Sequence, residues 1–258
     1  MKSLKQLAFL ILSLLFIISC DDDDPTTLSS DPTENAANKQ PLGTSANELL
    51  SSDEFTSLRV EIAYPEGFRP TDSTIELLIP FLEERLNKPD GITLVESTIT
   101  TNTEGPYDIN DIVAIEDANR SVFNNGDEMG VWLFFSDESS EGDSDNSVVL
   151  GTAYRNTSMV IYEKTFLELA NNSTTAISRT LIETSTIRHE FGHIFGLVNG
   201  GTPLTSDHHD EENGRHCSVE DCLMYFQTVT TIFNTSNTAS LPDFDALCIQ
   251  DLQANGGL

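Results

Sequence analysis

The chain has 258 residues, enough for one large domain or two small ones, and its 38% hydrophobic and 21% charged content is compatible with a folded core. Its 13 Lys+Arg stand against 42 Asp+Glu for a net charge of -29, and since Lys2 and Lys5 both fall in the first twenty residues, the remainder is more acidic still. Neutralising phosphates takes clustered Lys and Arg, which are missing here, so nucleic-acid binding and electrostatic docking to anionic lipid are excluded.

At the N-terminus, a basic head with Lys2 and Lys5 precedes an apolar run over residues 7–18. The run is too short to span a bilayer comfortably, and a secretory signal over 1–20 is expected. It ends in Ile17-Ile18-Ser19-Cys20, which resembles the lipobox of bacterial lipoproteins. The resemblance implies cleavage before Cys20, lipidation of that residue, and an outer-membrane lipoprotein facing the periplasm or the cell surface. No other apolar segment is long enough to anchor the chain, so Cys20 is the only expected membrane attachment. Asp21 to Asp24 follow, then residues 25–53 without Val, Ile, Phe, Tyr or Trp. Such a segment buries too little apolar surface to offset its ordering entropy, and 21–53 is expected to be a flexible acidic and polar tether. The acidic run is similar to a surface-export signal of some Gram-negative lipoproteins; a merely solvating tether fits the same residues.

The folded domain is expected over 54–258. Residues 58–64 alternate as a strand does, 74–86 carry apolar residues at helical spacing, and 92–100 read as a second strand. A helix is expected within 109–123. Three short apolar runs over 131–135, 148–154 and 159–162 read as strands, with a helix over about 175–195 after them. The final helix is expected over about 242–254, with Ser240 as its cap and Gly256 beyond its end. The order β-α-β-α-β-β-β-α, then an irregular stretch and a last α, gives an α/β (α+β) class: one mixed, twisted sheet with helices packed against it.

All five histidines, His189, His193, His208, His209 and His216, fall in one 28-residue window. The helix ends in Arg188-His189-Glu190-Phe191-Gly192-His193. Residues four apart share a helix face, so His189 and His193 can both offer ring nitrogens to one Zn(II). Glu190 stands beside the first ligand, within reach of a metal-bound water, as general base. Three candidates compete for a third ligand. Asn199 offers an amide, which zinc disfavours. His208 has neighbouring carboxylates that could orient it, and His216 precedes Cys217 and Met224 closely. His209 is a weaker fourth.

With Gly196 three residues after His193, the stretch H-E-F-G-H-I-F-G resembles the metzincin clan of zinc peptidases. His216-Cys217 to Met224, H-C-x4-C-x-M, is similar to the archaemetzincin signature. The resemblance implies a metzincin-like single domain whose active-site helix ends at a Gly turn, with His216 as third ligand, a Met-turn at Met224 and a C-terminal helix. An insertion over 200–215 departs from the pattern. Gly151-Thr152-Ala153-Tyr154 also looks like the edge strand along which metzincins hold peptides; a glycine in an ordinary strand or bulge reads the same way. Archaemetzincins hold a second zinc with four cysteines, but here only Cys248 follows Cys217 and Cys222. A Cys217–Cys222 disulfide with Cys248 as a small buried residue is expected, the alternative being a second zinc held by three thiolates and one other ligand. The function expected is a monomeric zinc endopeptidase with one catalytic Zn(2+), ligands His189, His193 and His216, Glu190 as base, and a protein or peptide substrate. A surface module that binds protein or glycan with little turnover, or a zinc hydrolase of another substrate, are the alternatives.

Overall fold

In the computed structural model, residues 35–144, 147–172, 178–227 and 241–258 are described. The expected signal segment, the acidic run, Cys20 and the Ser240 cap lie outside them. No described helix is long and apolar enough to cross a membrane.

The chain enters through a 3-10 turn (Ala36–Lys39) and a short helix α1 (Ala46–Leu50), then alternates through β1 (Ser57–Pro65), α2 (Asp72–Glu83), β2 (Gly91–Ile99), α3 (Ile109–Asn119) and β3 (Glu128–Phe135). The hairpin β4 (Gly151–Arg155) and β5 (Ser158–Ile161) follows, then α4 (Glu163–Asn172), α5 (Arg179–Ile194) and α6 (Ala246–Ala254). The five strands form one sheet in the order β2-β1-β3-β5-β4. All neighbours are parallel except β4, which runs antiparallel to β5 at the edge. The expected α/β class with one mixed sheet is therefore found.

β3 explains why the sheet needs helices on both faces. Met129, Val131, Leu133 and Phe135 point into the larger core with residues of α2 and α5, while Trp132 and Phe134 point into a smaller one with Ile112 and Ile115 of α3. A parallel strand buried on both sides reads as a continuous apolar run, as 131–135 does. The helix starts are fixed by side chains: Thr71 caps α2, and Asp108 with Asp111 forms a reciprocal capping box on α3.

Three expectations need correction. The tether does not run to 53, because residues 36–50 are packed into the domain. Leu49 and Leu50 are fully buried in the main core, each burial stabilising by about 1.5–3 kcal/mol. Buried Asn38 donates to the Asn124 side chain and the Gly130 carbonyl, and the Asn156 amide pairs with this segment through Gln40, Ala37 and Ser45. This N-terminal strap has few large apolar residues and is held instead by polar side chains that its composition does not reveal. Second, α4 intervenes before the long helix, where no element was expected. Third, the last helix begins at Ala246, not near 242, because the Asp245 carboxylate takes the backbone N–H groups of Leu247 and Cys248.

Candidate metal centre and cleft

α5 carries the first half of the site. It starts where the Ser178 hydroxyl accepts the Leu181 N–H, and it ends at Gly196, whose φ of +71 an L side chain rarely adopts. A Cβ there would also lie 2.8 Å from Ala46 Cβ, so the strap crosses directly over the helix end. Because most of α5 is buried, His189 and Glu190 are nearly inaccessible, at 8% and 6%.

The loop after α5 returns His216 to the face of the helix. The three rings of His189, His193 and His216 have centroids 4.9 to 5.2 Å apart. His189 Nδ1 lies 2.7 Å from the Leu223 carbonyl and His216 Nδ1 lies 2.7 Å from the Asn213 carbonyl. A carbonyl only accepts, so both Nδ1 atoms carry the proton and both Nε2 atoms present lone pairs. Those two Nε2 atoms face each other at 3.3 Å. Two neutral acceptors repel at that distance unless a cation lies between them. Two ligands on a tetrahedral zinc, each at about 2.0–2.1 Å, stand about 3.3–3.4 Å apart, which this spacing fits. One donor atom from each of the three histidines lies within 4.8 Å of the others. Burial holds His189 down to about 4, with the His216 ring adding to the effect, and burial also takes His193 well below its ordinary value, so both rings are neutral near pH 7 and ready to ligate.

Met224 is fully buried against Gly192, where a Cβ would come 2.2 Å from its sulfur. The same turn supplies the Leu223 carbonyl that orients His189. Glu190 turns its carboxylate toward the edge strand, where Oε2 accepts the Ala153 N–H at 2.8 Å. Burial pushes the Glu190 carboxyl up to about 8 although that hydrogen bond pulls it down. These groups line a cleft of about 350 Å³ whose walls include Gly151, Thr152 and Ala153 of β4 on one side, Leu42 of the strap, and Arg215 beside His216. Leu42 and Arg215 carry no sequence signal for this place: Leu42 sits in a polar, tether-like stretch, and Arg215 has no pattern of its own.

His189, Glu190, His193 and His216 thus come together in one cleft. Asn199 and the other two histidines do not line it. Asn199 is exposed with a left-handed backbone, φ 58, and His209 Nε2 binds the Gly214 carbonyl. Buried His208 faces another cluster. Its Nε2 pairs with Asp251 at 2.8 Å, and its Nδ1 lies 3.3 Å from the Cys217 sulfur and 4.0 Å from that of Cys248.

That second cluster corrects the disulfide expectation. Cys217, Cys222 and Cys248 are buried and not joined in a disulfide, and Cys222 lies against Cys248 at 3.6 Å, so α6 brings the third sulfur into the cluster. One donor each from Cys217, Cys222, Cys248 and Asp245 lies within 4.8 Å of the others. Contact with Cys222 and Cys248 holds the Cys217 thiol well below its ordinary value, while Cys217 in turn pushes Cys222 up, so the sulfurs titrate as one group. Three thiolates with one further ligand suit a closed structural zinc. Asp245 gives Oδ1 to the α6 cap and keeps Oδ2 3.7 Å from the Cys217 sulfur, while His208, its other nitrogen held by Asp251, has the carboxylate–histidine arrangement common at zinc.

No model of a known protein family and no curated protein matches the chain in sequence. Among solved structures, the chain is similar to the crystal structure of archaemetzincin from Methanopyrus kandleri, with a TM-score of 0.50 and 17% identity over 78% of this chain and 96% of that one. The five-stranded mixed sheet with its packed helices matches the archaemetzincin-like fold.

Proposed function

We propose that the protein is a zinc-dependent endopeptidase with His189, His193 and His216 as the ligands of one catalytic zinc and Glu190 as general base. The observation that carries this reading is the facing pair of Nε2 lone pairs on His189 and His216, 3.3 Å apart, with Glu190 beside them. Zinc bound there supplies a Lewis acid that polarises the scissile carbonyl and acidifies water. Glu190 takes the proton of the attacking water and delivers it to the leaving amine. Its hydrogen bond from Ala153 keeps one carboxylate oxygen aimed along β4, and its burial raises its basicity toward the working range. β4 has a partner on one side only, so an extended peptide can lie along its outer edge with the scissile bond over the histidines. A pure binding module has no use for a buried carboxylate at this point, which leaves that alternative without support.

Cys217, Cys222, Cys248 and either His208 or Asp245 would hold a second, structural zinc that pins the turn beneath the first. From the first twenty residues, we further propose export, lipidation at Cys20, attachment to the bacterial outer membrane by that lipid alone, and a monomeric state. A Cys20→Ala chain should leave the membrane fraction.

The direct test of the mechanism is Glu190→Gln. Zinc content should stay at the wild-type level, while casein cleavage falls by several orders of magnitude. Undiminished cleavage with full zinc would remove Glu190 from the reaction.

A further inference from the structure

Arg215 stands apart from the other described cations. Those with a carboxylate in reach are in ion pairs, buried ones included. Lys88 gives its ammonium to the carbonyls of Glu48, Ser51 and Phe55, and the Arg188 guanidinium lies 4.9 Å over the Phe81 ring. Arg215 is exposed and has neither hydrogen bond nor ion pair among the described residues, in a chain with 42 acids. Four of those acids, Asp210, Glu211, Glu212 and Glu220, lie within five residues of it. Asp210 is spent on its own turn, accepting from the Glu212 N–H and the Asn213 amide. Its positive charge beside the cleft disfavours protonation of His193, after the larger effects of burial and the two other rings.

Its position is defined by backbone. Arg215 lies over Gly200, where a Cβ would stand 3.4 Å from its Cδ. On its other side Gly200 meets the strap so closely that a Cβ on Gly43 would fall 1.6 Å from the Gly200 carbonyl oxygen. The residue before Gly43 is Leu42, which lines the same cleft. The cleft is thereby walled by an apolar side chain and a guanidinium that pairs with no described residue, together with the three histidines and β4.

We propose that Arg215 is a specificity-determining residue that binds a carboxylate of the peptide substrate, so that this strongly acidic protein selects acidic rather than basic peptides. This assignment rests on the peptidase reading for the use of the cleft. A guanidinium presents paired N–H donors that match both oxygens of a carboxylate, and Leu42 can cover the methylenes of a Glu side chain. The carboxylate can belong to an Asp or Glu side chain or to a peptide C-terminus.

The test uses the zinc-loaded protein and one peptide made with Glu, Gln or Lys at the positions flanking the cleaved bond, each with a free and an amidated C-terminus. The Glu peptide should exceed the Gln peptide in kcat/KM by about 5- to 20-fold at low salt, less at high salt. In Arg215→Ala that ratio should fall to about one, and in Arg215→Glu the Lys peptide should become the best. A preference that follows the free C-terminus instead of the side chain identifies the terminal carboxylate as the group bound. The same ratios are read as binding, by anisotropy of labelled peptides on zinc-loaded Glu190→Gln. A charge preference in binding that Arg215→Glu reverses, without cleavage by the wild type, would sustain Arg215 and overturn the peptidase reading. Cleavage with a Glu/Gln ratio near one, or a ratio unmoved by Arg215→Glu, would overturn the assignment of Arg215 alone. Absence of binding to every peptide would overturn both.

Discussion

Gly151→Ala is a one-methyl probe of how the edge strand positions the candidate general base. A Cβ at residue 151 would lie 2.8 Å from Thr186 Cγ2, 2.9 Å from Glu190 Cγ and 3.0 Å from Glu190 Oε1. Carbon atoms rest about 3.5–4.0 Å apart, so two side chains of α5 and the strand must separate by roughly 0.5–1 Å. The Thr186 and Glu190 atoms belong to buried residues on a helix packed across the sheet, and the yielding member is either the Glu190 carboxylate or β4 itself. Either movement lengthens the 2.8 Å bond from the Ala153 N–H to Glu190. Overpacking of this kind costs about 1–3 kcal/mol of stability, and a displacement near 1 Å at a reacting group costs up to about 100-fold in rate. The expected outcome is a folded protein with wild-type zinc content whose kcat/KM on a casein-derived peptide is about 10- to 100-fold lower, the loss being mostly in kcat. Wild-type kcat/KM in Gly151→Ala, with stability lowered as expected, would refute the claim that β4 holds Glu190 in its working position.

Three other outcomes are expected. Burial, with the Glu183 carboxylate beside it, pushes the Glu163 carboxyl up to about 9 against the pull of Arg179. A carboxyl whose folded value exceeds its unfolded value near 4.5 contributes stability that is complete below that pH and is lost as pH rises toward 9. The Tm should therefore drop between pH 6 and pH 8 by the equivalent of about 1–2 kcal/mol, and Glu163→Gln should flatten that slope in calorimetric scans, identical slopes counting against it. Leu49→Ala should cost about 2–5 kcal/mol in urea unfolding, because the strap is part of the core; a loss below about 0.5 kcal/mol would return residues 36–50 to the tether. After chelation and unfolding without reductant, Cys217, Cys222 and Cys248 should all take up an alkylating reagent, as read by mass; a single labelled site among them would restore the disulfide.

The β/α order was legible because it rests on periodicity and run length: the runs at 58–64 and 131–135 are strand-like and bounded by turn residues, and the i, i+4 pair of His189 and His193 needs nothing but a helix. The convergence of His216 was visible in its short tie to Cys217 and Met224. Other features depend on contacts between distant segments. Spacing alone cannot distinguish a Cys217–Cys222 bridge from a cluster, since the deciding atom is the Cys248 sulfur, delivered by a helix whose start Asp245 sets. The two carboxylates flanking His208-His209 suggested a ligand of the first metal. The residue that orients His208 is Asp251, 43 positions away, and it points the ring at the sulfurs. The strap is not legible in the sequence because its anchors are Leu49, Leu50 and a few amides in a segment with few other large apolar residues. Leu42 and Arg215 are no more legible, as cleft walls are made by whichever residues the loops bring near.

The central claim is that His216 completes a catalytic zinc site with His189 and His193 and that His208 takes no part in it. Zinc titration with parallel peptide cleavage, on the wild type, His216→Ala and His208→Ala, tests it most directly. The account predicts two zinc ions per wild-type chain, a His216→Ala chain that keeps the cysteine-bound ion but loses the other together with cleavage, and a His208→Ala chain that retains the histidine-bound zinc. Full zinc content and wild-type cleavage in His216→Ala would contradict it.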